Sequence, residues 1–272
     1  MSIEKTFYKP LKHSPGVTLI LGGGGARGFA HIGILKALHG HVPIDLIIGT
    51  SVGSIVGALY AYNPDPMALQ NLALKIKRAM LFRFNFWKCW HGFSNGNSLY
   101  RFINKHTHNA EFKDLNIPLI ITAVNACTGH LLPISTGSVA KAVQASSALP
   151  PLYQPVKINN TTLIDGGTVS PCAIEIAELC NSKITIAAVV PPTPTSLSQC
   201  PSNAFASFMR FQSLREKRLV DLATNKANVV ISPNLHDHGI MDFNDKPKLI
   251  EAGQIAAHAA LPRIQYLIEK MT

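Results

Sequence analysis

Apolar residues along the chain fall into short runs bounded by glycine or proline. These runs alternate with segments where apolar residues recur at three- and four-residue spacing. Val17-Thr-Leu-Ile-Leu21 is rich in strand formers and ends at Gly22. Beyond it, Phe29–Leu38 carries Ile32, Leu35 and Leu38 at helical spacing, with Gly40 as a stop. Asp45–Ile48, between Pro43 and Gly49, predicts a second strand, and Ile55–Tyr62 a second helix closed by Asn63-Pro-Asp-Pro66. Two strand–glycine–helix units in succession predict a doubly wound α/β fold. Its central sheet should be mostly parallel, with helices on both faces and right-handed crossovers.

The rest of the pattern extends this plan. Helices are expected at 67–79, 99–103, 139–147, 174–179 and 203–225, and two more at 248–261 and 263–270. Strands are expected at 117–124, 131–133, 161–164, 183–190 and 228–232. Between 81 and 90, Phe82, Phe84 and Phe86 alternate as in a half-buried strand, beside Trp87 and Trp90. The bland reading is a core or edge strand. The functional one is a rim or lid over 81–93, with Phe86, Trp87 and Trp90 facing lipid, because amphipathic rings beside basic residues suit a membrane interface. Residues 191–202, rich in Pro and Ser, read as a surface loop or lid. There is no internal repeat and no linker composition. The reading is therefore a polar lead over 1–15 and a single domain over 16–272.

Composition narrows the function classes. The 272 residues are 47% apolar, enough for a sizeable core. No window approaches the roughly 20 apolar residues that cross a bilayer, and Val17–Leu21 is too short for a secretory signal. The five cysteines, Cys89, Cys127, Cys172, Cys180 and Cys200, are odd in number and widely spaced, which suits reduced thiols in the cytoplasm. Neither a metal nor a cofactor is expected, since no Cys/His cluster has ligand spacing. The net charge of +10 comes from scattered residues, including Lys75–Arg78 and Arg210 with Arg215–Arg218. These read first as solvated helix faces and second as a lipid-facing surface. Nucleic acid comes last, because no binding module accompanies the charge.

The chemistry lies in the two glycine turns. Gly49-Thr-Ser-Val-Gly53 follows a strand and precedes a helix, the setting in which a serine is held on a strained turn between small neighbours, Gly49 and Gly53. Ser51 is the candidate nucleophile. The four glycines at 22–25 exceed what a turn needs, and bare amides converging on an oxyanion would account for them. Gly23, Gly24 and Gly25 are the candidate donors. Arg27, beside Gly28, is read as support for the loop, or else as a headgroup contact.

Gly23-x-Gly25-x-x-Gly28 also satisfies a dinucleotide fingerprint. The acidic residue that should end the second strand is missing, however: Asp45 stands at that strand's start. A dinucleotide-binding oxidoreductase is therefore the weaker reading, and a non-catalytic lipid- or phosphate-binding protein a further one. A serine also needs a base. His31, His130, His236 and His238 are candidates without a distinctive context. Asp165, at the end of an apolar run and before Gly166-Gly167, is better placed, although Asp-Gly is an ordinary turn signal.

The chain resembles the patatin-like phospholipase family. The matching residues are Gly23-Gly-Gly-Ala-Arg-Gly28, Gly49-Thr-Ser-Val-Gly53 and Asp165-Gly-Gly167, with Ala145-Ser-Ser-Ala-Leu-Pro150 and Asn116–Ala123 in support. The resemblance covers roughly residues 16–190. It implies a three-layer α/β/α fold and a metal-free Ser51–Asp165 dyad with Gly23–Gly25 as the oxyanion loop. It also implies an acyl-enzyme route to cleaving fatty-acyl esters of phospholipids, lysophospholipids or related lipids. The chain looks similar to compact bacterial members, which implies a cytoplasmic protein, peripheral to membranes at most, with export as an effector the alternative. Oligomeric state is not legible.

Overall fold

The computed structural model describes residues 7–76, 96–190, 200–235, 238 and 243–271. The expected rim at 81–93, with Phe86, Trp87 and Trp90, lies outside these residues, as do His236 and most of the loop at 191–202.

In chain order the elements are β1 (Val17–Leu21), α1 (Phe29–Leu38), β2 (Leu46–Thr50), α2 (Val52–Tyr62), α3 (Pro66–Lys75), α4 (Asn97–His106), β3 (Leu119–Asn125), β4 (Leu131–Ile134) and α5 (Val139–Ser146). There follow β5 (Val156–Ile158), β6 (Thr161–Asp165), α6 (Ile174–Leu179), β7 (Ile184–Ala188), α7 (Ala204–Thr224), β8 (Val229–Ile231) and α8 (Lys246–Glu269). Short 3₁₀ turns follow the glycine loop at Gly25–Gly28 and follow Asp165 at Gly166–Thr168.

The parallel part of the sheet runs β3-β2-β1-β7-β8, and β4, β5 and β6 join antiparallel at the β3 end. Helices cover both faces. Because successive side chains in a strand point to opposite faces, β1 sends Leu19 and Leu21 into one core and Ile20 into the other. The first core holds residues of α1, α2, α3, α4, α5 and α8, and the second those of α6 and α7. Burial on both faces explains why β1 and β2 read as continuous apolar runs.

The register at β3 positions the site. Ile121–Val124 of β3 pair with β4 on one edge. On the other edge Thr122 pairs with Thr50, the last residue of β2, and Ala123 pairs with Asp165, the last residue of β6. β2 and β6 therefore meet head to head along the same edge of β3, from opposite directions, at the residue pair 50 and 165. Thr50 and Thr122 add a buried hydroxyl–hydroxyl hydrogen bond of 2.7 Å at the junction.

One sequence expectation changes, and one strand goes unread in the sequence. The two helices expected at 248–261 and 263–270 are one helix, α8, with Pro262 inside it. A proline costs roughly 3 kcal/mol in a helix interior. Here the buried stripe Leu249, Ile250, Gly253 and Ala257 continues to Ile264 beyond the proline, and packing keeps the helix going. β5, a three-residue edge strand, is too short for periodicity to mark. Within the lead, Phe7 is buried in the first core and Tyr8 in the second. Among the described residues no helix is long and apolar enough to cross a membrane.

Candidate active site

Ser51 stands between β2 and α2 with φ 53° and ψ −121°. That conformation costs a non-glycine residue roughly 1–3 kcal/mol and persists only where its surroundings hold it. They do so from two sides. The Ser51 amide donates to Ser146 Oγ at the end of α5 (2.9 Å), and its carbonyl accepts from the Ser54 hydroxyl (2.6 Å) and amide (2.9 Å). The α2 N-terminus directly behind the serine favours developing negative charge.

Gly49 and Gly53 frame this elbow. A Cβ on Gly53 would lie 2.0 Å from the Leu21 carbonyl oxygen, so α2 passes β1 at a distance that admits no side chain. Gly53→Ala should therefore cost about 3 kcal/mol by forcing the backbones apart. A thermal melt checks this: Tm should fall by several degrees, and an unchanged Tm would mean that α2 can move away freely.

The junction at β3 brings Asp165 to Ser51. The Ser51 hydroxyl donates to Asp165 Oδ2 over 2.6 Å, and Asp165 Oδ1 accepts from the Gly167 amide over 2.7 Å. Asp165 is 2% exposed. Burial pushes its carboxyl up to about 7, against the opposing pull of the Ser51 and Gly167 hydrogen bonds. The charge of Glu216 adds to the rise and that of Arg215 opposes it. A carboxyl in that range exchanges protons near neutral pH, as a general base must.

The glycine loop faces the same cavity. Gly23, Gly24 and Gly25 line it together with Ser51, Asp165 and Gly167. The Gly23 amide is already engaged, donating to the Pro171 carbonyl over 2.8 Å. Of the three expected donors, Gly24 and Gly25 carry no such commitment among the described residues. Gly24 has φ 150°, a conformation that side chains rarely adopt. Gly28, also in the cavity wall, lies against Val52, the residue after Ser51.

Arg27 is 1% exposed and turns back to support the loop: its Nε donates to the Gly24 carbonyl (3.0 Å), and its guanidinium pairs with both oxygens of Glu216 (3.2 Å each). The rest of the lining is largely apolar, including Ile32, Ile55, Leu69, Leu72, Ile76 and Phe208. Such a wall takes a hydrocarbon chain.

No histidine lines the cavity among the described residues. His31 is fully buried, donates from Nε2 to the Gly22 carbonyl (2.9 Å), and is held neutral by burial, which pushes it down to about 4. His130 is exposed, and His238 contacts the Leu235 carbonyl. Asp45, the misplaced acid of the dinucleotide pattern, accepts from the Val17 amide (2.8 Å) and pins β2 to β1. Among the described residues no group of three His, Cys, Asp or Glu is placed to hold a metal ion.

Four further residues bear on the site. Ser146 holds the elbow, and Ser147 lies in the cavity wall with its hydroxyl buried and without a partner among the described residues. Arg215, which reaches the Thr168 carbonyl, and Glu216 come from α7. Both serines lie in the quoted 145–150 stretch. Arg215 and Glu216 sit in a basic run that periodicity reads as solvated, and nothing local marks them as facing inward.

A family model described as patatin-like phospholipase matches residues 19–178. Among curated relatives, the lysophospholipase NTE1 of Coccidioides immitis is 37% identical over 158 residues, 56% of this chain and 10% of that protein. The lysophospholipase nte1 of Neurospora crassa is 29% identical over 266 residues, 87% of this chain and 18% of that protein. The chain thus spans less than a fifth of the length of either. Among solved structures, VipD from Legionella pneumophila superposes with a TM-score of 0.59 at 13% identity, covering 96% of this chain and 68% of that one. ExoU, in its complex with SpcU from Pseudomonas aeruginosa, gives 0.51 at 15% identity, covering 93% and 53%. At such identities the likeness is one of fold.

Proposed function

The chain belongs to the patatin-like phospholipase family, a group of serine-dependent lipid hydrolases, and we propose that it cleaves fatty-acyl esters of phospholipids, lysophospholipids or related lipids through a Ser51–Asp165 dyad. The observation that carries the reading is the 2.6 Å hydrogen bond from Ser51 Oγ to a buried Asp165 at the head of an apolar cavity.

Ser51 Oγ attacks the ester carbonyl carbon as its proton passes to Asp165 Oδ2. The tetrahedral oxyanion turns toward the Gly24 and Gly25 amides, where one such donor is worth roughly 3 kcal/mol. The ester C–O bond then breaks, and Asp165 returns its proton to the departing alkoxide, which leaves as the alcohol. Ser51 keeps the acyl group. Water attacks this acyl-enzyme while Asp165 takes the water's proton, and the second tetrahedral species collapses to release the fatty acid. The proton then returns to Ser51 Oγ. No step calls on a cofactor.

Because Asp165 must be deprotonated to begin, kcat/KM should rise with pH through about 7 and level off above it. Glu216 contributes to that position through its charge, so Glu216→Gln should move the acid limb to lower pH. It should also lower Tm, since it leaves the buried Arg27 guanidinium without its partner. Fatty acid released from micellar lysophospholipid, phospholipid and neutral-ester substrates, followed from pH 5 to 9, tests both statements. Absence of release from all three, or a limb unmoved by Glu216→Gln, would count against the reading.

A further inference from the structure

α7 has an outer face that the proposed chemistry does not use. Phe211, Leu214, Arg218 and Leu222 follow one another at three- and four-residue spacing and form a single stripe along the helix. Phe211 is 59% exposed, Leu214 51% and Leu222 53%. Phe208 stands at the edge of this stripe and also lines the catalytic cavity, as do Gln212, Arg215 and Glu216 one turn inward. The stripe is thus continuous with the mouth of the site. Arg218 lies within the stripe, and beside it Lys217 is paired with Asp221 over 2.7 Å. On its inner side α7 is fastened to both catalytic loops, by Glu216 to Arg27 of the glycine loop and by Arg215 to the carbonyl of Thr168 behind Asp165.

We infer that the outer face of α7 docks the protein on an anionic lipid surface, with Phe211 and Leu214 entering the acyl region and Arg218 meeting the headgroup phosphates. Bulky apolar residues with Arg218 among them on one helical face, in a chain of net charge +10, match that surface in both polarity and sign. A second copy of the chain is a poorer occupant, because it would bring Arg218 against Arg218 between two chains of net charge +10. Docking here sets the cavity mouth against the interface, where an ester can enter without crossing water. The inference rests on the lipid-ester reading of the site.

The test uses Ser51→Ala protein, so that vesicles stay intact, and sedimentation with vesicles of phosphatidylglycerol or of phosphatidylcholine. The parent should bind phosphatidylglycerol vesicles in preference to phosphatidylcholine and release with salt. Phe211→Ser with Leu214→Ser should weaken binding at least tenfold, given the apolar area withdrawn. Arg218→Glu should weaken it on phosphatidylglycerol alone. With Ser51 intact, the double variant should keep its Tm and hydrolyse a water-soluble short-chain ester within twofold of wild type. Equal vesicle binding by parent and double variant would overturn the inference. So would a dimer of the parent that the double variant dissociates, which would assign the face to self-association. Vesicle binding lost in the double variant, with no ester hydrolysis by wild type, would support the docking face while defeating the proposed reaction.

Discussion

Ser51→Ala should lower esterase turnover by about a millionfold, to the background left by the cavity and the proposed oxyanion donors. The size follows from chemistry. The variant keeps the apolar wall, the glycine loop and Asp165, but has no oxygen to form the acyl-enzyme. Binding of an unreactive lipid should be retained, since the lost atom is one hydroxyl among a largely apolar lining. The elbow should stay intact, because the bonds that hold it run through the Ser51 backbone to Ser146 and Ser54. Assaying fatty-acid release and thermal stability together checks this. Substantial turnover in a folded Ser51→Ala protein would place the nucleophile elsewhere.

Asp165→Asn should cost about a thousandfold in kcat, the scale on which a general base contributes. The amide fits the same space. Its oxygen can accept from the Gly167 amide and its nitrogen can donate to Ser51 Oγ, but it can take no proton. Stability should move the other way. The folded pKa of Asp165 is raised above its unfolded value, so its favourable contribution is complete below the unfolded pKa of 3.8 and is lost as pH rises through about 7. Above pH 7 the buried charge opposes folding, and the neutral asparagine is free of that penalty. At pH 8 the variant should therefore melt no lower than wild type while turning over far less. Differential scanning calorimetry beside a rate assay reads both. A variant that is both slow and much less stable would assign Asp165 a structural role only.

Much of this site is legible in the sequence, for a physical reason: its parts are local. A serine elbow needs small residues two positions to either side, and an oxyanion loop needs bare amides after a strand. Both requirements leave glycines at fixed spacing, as at 49, 53 and 22–25. The alternating units up to residue 62 follow in the same way from continuous apolar strands and periodic helices. What joins the parts is not local. Ser51 and Asp165 are 114 positions apart, and they meet because β2 and β6 share one edge of β3. No spacing along the chain expresses that.

Glu216 shows the same limit. Among the cations of α7 it looks solvated, yet the fold carries it to Arg27 and close enough to Asp165 to raise its pKa. Gly23 shows it at the scale of one bond, since its amide looks like its neighbours' until the Pro171 carbonyl is seen to occupy it. Pro262 shows how packing overrides propensity, because the stripe from Leu249 to Ile264 is buried on both sides of it.

The proposed chemistry depends on a serine activated by Asp165. The direct measurement is the rate of covalent labelling by a fluorophosphonate across pH 5 to 9, in wild type and in Asp165→Asn, with the adduct located by peptide mass. A Ser51–Asp165 dyad should give an adduct on Ser51, a wild-type rate that climbs through about pH 7, and a slow rate in the variant with no such limb. An adduct on another residue, or a variant that labels as fast as wild type with the same pH dependence, would contradict it.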